Sequence, residues 1–100
     1  MAILAIVDIP ADRGGAAADA EHWAARNARE LPEARGFVVH ADGPTETGWR
    51  LVQVWESEDD LQRFFDEHVK PYLPPNAPSP ADAQRIYQLA HVVMAAPQRV

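Results

Sequence analysis

One hundred residues suffice for one domain, read as residues 1–100, and for a single buried core. The chain has no cysteine, which excludes disulfides, thiolate nucleophiles and cysteine-bound zinc. Nine Lys and Arg against 15 Asp and Glu give a net charge of −6, the wrong sign for nucleic acid or an anionic membrane surface. No apolar run is long enough to span a bilayer. Met1-Ala2-Ile3-Leu4 lacks the basic start of a signal peptide, so a cytoplasmic protein is expected.

In chain order, Ala2 to Ile9 (AILAIVDI) is apolar on both parities, the pattern of a strand covered on both faces. Pro10 ends it, and Asp12-Arg13-Gly14-Gly15 is a loop. Ala16 to Leu31 is helix-favouring. Ala20, Trp23, Ala24, Asn27, Ala28 and Leu31 form one face, His22 falls outside it, and Pro32 is the expected stop. Gly36 to Asp42 is a second strand. Asp42 to Gly48 is a hairpin connection too long for a two-residue turn, and Trp49 to Glu56 is a third strand. Ser57 is the expected N-cap of a second helix with Glu58, Asp59 and Asp60 in its first turn. The apolar stripe of that helix is Leu61, Phe64, Phe65, His68, Val69 and Tyr72. Five prolines stiffen Pro71 to Pro80, which is expected to border a cleft mouth. Gln84 to Ala96 reads as a last long strand.

The order β-α-β-β-α-β is that of an α+β, ferredoxin-like domain: a four-stranded antiparallel sheet with both helices on one face. The other face would then expose several hundred Å² of apolar surface. A second copy, sheet against sheet, would cover it.

Within this order, Gly48 to Ser57 (GWRLVQVWES), followed by an acidic helix start and Phe64-Phe65, resembles the centre of the dimeric α+β barrel superfamily. In particular it is similar to the antibiotic-biosynthesis-monooxygenase (ABM) type of domain. The resemblance implies a homodimer whose two sheets form a barrel. Each protomer would hold a small hydrophobic molecule in a cleft between its own sheet and helices. It also implies chemistry such as cofactor-independent oxygenation of phenols or quinols, haem degradation, or polyketide cyclisation. The haem-degrading pattern has an Asn near the end of the first strand, where this chain has Val7-Asp8. The cyclase pattern has a Tyr near Phe64 and a His near Lys70, for which only Tyr72 and His68 offer substitutes.

Several residues stand out as candidates for chemistry. His68 lies on the apolar stripe of its helix, so its imidazole is expected to point at the sheet, where it serves either as acid/base group or as a packing residue. His40 and His91 interrupt strands and are further catalytic candidates, each facing either helices or dimer partner. Asn27 breaks an alanine-rich face and either bonds backbone or meets a ligand. Trp23, Trp55, Phe64, Phe65, Tyr72 and Tyr87 are candidate pocket walls that serve equally as packing, as does Gln53. Tyr87 is expected to share a strand face with His91. Asp8 is expected to make a strand-end or loop hydrogen bond. The four histidines lack metal-ligand spacing, and no glycine-rich phosphate loop or dinucleotide fingerprint is present, so no metal and no flavin or nicotinamide cofactor is expected.

Overall fold

A computed structural model describes residues 1–10, 29–72 and 84–95. Four strands form one antiparallel sheet: β1 Ile3–Pro10, β2 Phe37–Thr45, β3 Gly48–Trp55 and β4 Gln84–Gln88. Their spatial order is β2-β3-β1-β4. β1 therefore has a neighbouring strand along each edge. Helix α1, Glu58–Phe64, continues as a π-helical turn, Phe65–Val69, and a 3-10 turn, Lys70–Tyr72. The fold is ferredoxin-like α+β.

Antiparallel partners share a face, so the register assigns every strand side chain to one side. Ile3 and Ala5 pair with Trp55 and Gln53, and Ile3, Ala5, Trp55, Leu31 and Phe64 form the core. This is the face that meets α1. Trp55 is completely buried between Phe37, edge-on at 5.6 Å, and Phe64, tilted at 5.5 Å. Leu4, Ile6, Val52, Val54, Val39 and Tyr87 lie on the opposite face. Among the described residues no helix packs there, and Val39 and Tyr87 are exposed.

The cap of α1 is as expected: Asp60 N–H donates to Ser57 Oγ at 3.1 Å, and the Ser57 hydroxyl donates to Asp60 Oδ2 at 2.9 Å. Other expectations need correction. Residues 11–28 and 73–83 lie outside the described residues, and with them the body of the first helix and most of the proline-rich loop. The described end of that helix, Arg29-Glu30, closes just before Pro32, near the expected stop. It passes into a 3-10 turn, Leu31–Glu33, that accommodates the proline in its first positions, where the missing N–H costs no helix bond. The β2–β3 connection is a two-residue tip at Glu46-Thr47, because β2 keeps pairing to Thr45. Pro44 is tolerated there because β2 is an edge strand.

β4 ends at Gln88 rather than Ala96. Gln88 pairs with Ile3, the first residue of β1, and Leu89 N–H donates to Ala2 O at 2.8 Å. Residues 89–95 continue without regular structure, and Val92, Val93 and Met94 are exposed.

Candidate functional site

His68 lies in the π-helical turn Phe65–Val69 that continues α1. It stacks on the ring of Phe64 at 4.8 Å and 23°, with its side chain 42% exposed. Its Nδ1 lies 3.3 Å from Glu30 Oε2, and its Nε2 3.9 Å from Glu67 Oε2. Glu30 Oε2 is itself buried and makes no hydrogen bond of good geometry. His68, Phe64, Glu67, Arg63, Asp60 and the Glu33–Arg35 turn border a cavity of about 140 Å³. The site thus pairs an imidazole with a carboxylate at the edge of an aromatic wall. Glu30 was not among the sequence candidates, because its contact depends on how the first helix ends against α1.

A second polar group lies on the helix-facing side of the sheet. His40 is opposite Gln53, and Gln53 shares its face with Trp55 two residues on. Trp55 Nε1–H donates to Gln53 Oε1 at 2.8 Å. Gln53 Nε2 contacts His40 Nδ1 at 3.0 Å, and His40 Nε2 contacts Asp42 Oδ2 at 2.6 Å. The His40 side chain is 10% exposed and that of Asp42 19%.

The remaining candidates are dispersed. His91 is exposed in the segment after β4, so it shares no strand face with Tyr87. Tyr87 is itself on the opposite face from Trp55 and His40. Phe64 and Trp55 are core, and Phe65 is half-buried. Trp23, Asn27, His22 and the Tyr72 side chain lie outside the described residues. Trp49 is half-buried, and its indole nitrogen has no partner among the described residues. No group of three or more His, Asp or Glu is placed to hold a metal among the described residues, and no described helix is long and apolar enough to cross a membrane.

Asp8 makes the expected strand-end bond, and its partners come from two other strands. Arg50 donates from Nε at 2.6 Å and from Nη2 at 3.1 Å, and Arg85 Nη2 donates at 3.0 Å. The Arg50 hydrogen bond is the largest influence holding the Asp8 carboxyl below its ordinary value of 3.8; desolvation, the next largest, opposes it, and the charges of both arginines and the Arg85 hydrogen bond add to the lowering. A carboxyl depressed on folding contributes stability above its unfolded pKa and loses it as pH falls through the folded value. Urea midpoints of the native chain and Asp8→Asn should therefore differ by a constant amount above about pH 5 and converge as pH falls through the folded value. A difference that persists at low pH would contradict the assignment.

No family model matches the sequence, and no curated protein matches it. Solved structures do match. A heme-degrading protein from Mycobacterium tuberculosis is 20% identical, with a TM-score of 0.60, over 94% of this chain and 100% of that one. SnoaB, a cofactor-independent oxygenase from Streptomyces nogalater, is 17% identical, with a TM-score of 0.56, over 92% of this chain and 94% of that one.

Proposed function

Starting from the ABM-like ferredoxin-like fold that this chain shares with those two proteins, we propose that it is a small cofactor-independent enzyme of the monooxygenase type. Its substrate is a hydrophobic aromatic or polyketide-like molecule, and His68 is the proton-transfer group. The observation that carries this reading is the His68–Glu30 pair stacked on Phe64 beside a cavity. The Glu30 carboxylate lies 3.3 Å from the Nδ1 edge of the ring, and Phe64 supplies an apolar wall. Removing a phenolic proton there leaves an electron-rich oxyanion, the form of a quinol that dioxygen oxidises most readily. His68 is the base for that step. Oxygen uptake on incubation with hydroquinones, without added metal or flavin, is the expected result. Conversion without oxygen uptake would favour acid/base ring closure. Neither uptake nor conversion would favour a non-catalytic binding dimer, a reading to which a cavity of only about 140 Å³ lends weight.

We further propose a homodimer through the face bearing Leu4, Ile6, Val39, Val52, Val54 and Tyr87. Apolar residues crowd that face, while α1 and the core lie on the other. Sedimentation should give a dimer at micromolar concentration. An 11.1 kDa species, or a dimer interface under roughly 1,000 Å² in total, would contradict it.

A further inference from the structure

A half-exposed histidine serves as a base only if its ring is held and the acting nitrogen is bare. Phe64 holds the ring. It is 4% exposed and tilted against Trp55 in the core, and the imidazole stacks on it at 4.8 Å and 23°. Stacking fixes the plane of the ring but does not choose between its two nitrogens.

Glu30 supplies that choice. It stands at the start of the 3-10 turn Leu31–Glu33, and its side chain makes no capping hydrogen bond there. The next residue, Leu31, is 1% exposed and part of the core, and Ala34 N–H donates to Leu31 O at 2.9 Å. The backbone that carries the carboxylate is thus anchored. Its Oε2 is buried, and a buried carboxylate oxygen needs a donor. His68 Nδ1 lies 3.3 Å away. With a proton on Nδ1 the two atoms are donor and acceptor. With Nδ1 bare, two lone pairs face each other and repel. The contact is longer than a well-formed hydrogen bond, as acid/base contacts often are before substrate binds.

The Nε2 edge is different. It lies 3.9 Å from Glu67 Oε2, beyond hydrogen-bond reach, and the Glu67 side chain is 62% exposed. His68 and Glu67 line the cavity, whereas Glu30 does not. Of the two carboxylates, Glu30 is the one placed to hold a proton on the ring.

Resting on the reading of His68 as the proton-transfer group, we propose that Glu30 is its positioning residue. It keeps the proton of the neutral ring on Nδ1 and so makes Nε2 the atom that accepts. The step then balances at named atoms. The phenolic O–H bond breaks, its proton passes to Nε2, and its electron pair stays on oxygen. The resulting imidazolium carries a proton on each nitrogen, with the Nδ1 proton beside Glu30. A histidine side chain free in water prefers its proton on Nε2, so the arrangement is one that the protein must impose.

Ring nitrogen NMR tests this on the resting protein, without substrate, at a pH where His68 is neutral. The His68 signals are identified by their absence from His68→Gln. In the native chain the proton should be on Nδ1. Glu30→Met, which removes the acceptor, should shift the ratio of the two tautomers toward Nε2 by about tenfold. Glu30→Gln, whose amide oxygen can still accept, should shift it less, and Glu67→Gln should not shift it toward Nε2. With a hydroquinone that the native chain oxidises, kcat of Glu30→Met should fall by about tenfold with KM little changed. A proton on Nε2 in the native ring, which needs no variant to fold, would overturn the inference. So would a ratio unchanged in Glu30→Met, an equal shift in Glu67→Gln, or an unchanged kcat in Glu30→Met. A proton found on Nδ1 and released by Glu30→Met supports the assignment whether or not hydroquinones are oxidised. Absence of oxygen uptake by the native chain would overturn the enzymatic reading alone.

Discussion

Gly36→Ala is expected to lower stability by about 2–4 kcal/mol, from backbone strain and overpacking together. Gly36 sits at φ 81°, in the left-handed region that a side chain disfavours. A Cβ there would also lie 2.6 Å from Asp60 Cβ and closer still to the carboxyl group. Asp60 cannot swing aside cheaply. It is held by Ser57 through both its N–H and its carboxylate, and Arg63 Nη1 donates to its Oδ1 at 3.1 Å. The Gly36 carbonyl meanwhile accepts from Glu56 N–H at 2.7 Å, tying the entry of β2 to the exit of β3. Against a total of about 5–15 kcal/mol for a domain of this kind, the loss is large. The urea midpoint should fall with its slope unchanged. A loss under about 1 kcal/mol would show that the turn relaxes without cost.

His68→Ala is expected to reduce turnover by roughly 10²–10⁴-fold, the range for loss of a general base. Because the imidazole is half-exposed and stacked on one ring, its removal should cost only about 0.5–1.5 kcal/mol of stability. The two effects are therefore separable, since the variant should remain folded while losing activity. Glu30→Gln should lower turnover less, because it keeps a hydrogen-bonding group beside Nδ1 but removes the carboxylate. A stability loss without a fall in turnover per folded molecule would make His68 a packing residue.

The elements of the sheet were legible because each strand carries its own pattern. The two-sided apolar run of Ala2 to Ile9 belongs to β1, which has a neighbouring strand along each edge, and Ser57 capped the helix that its acidic followers announced. Strand ends were less legible because a partner sets them. The apolar run after Gln88 reads as strand, but pairing with β1 begins at Ile3, the partner of Gln88. Pro44 reads as a break, yet an edge strand tolerates it.

The site was legible as residue types and not as geometry. Trp55 and Gln53 share a parity that the sequence states outright. His40 joins them only through the bulge after Phe37, which has no signature in the sequence. His68 lies in a π-helical turn, which an apolar stripe drawn at α-helical spacing does not register. The pairing of Asp8 with Arg50 and Arg85 is separated by 42 and 77 positions, and only the sheet register brings those charges together.

His68→Gln tests the central assignment most directly. Glutamine keeps much of the volume and a polar group near Glu30, but it cannot take up and release a proton. With a hydroquinone that the native chain oxidises, oxygen uptake per folded molecule should fall by at least about 10²-fold in His68→Gln. Near-native uptake by this variant would contradict the assignment of His68 as the proton-transfer group.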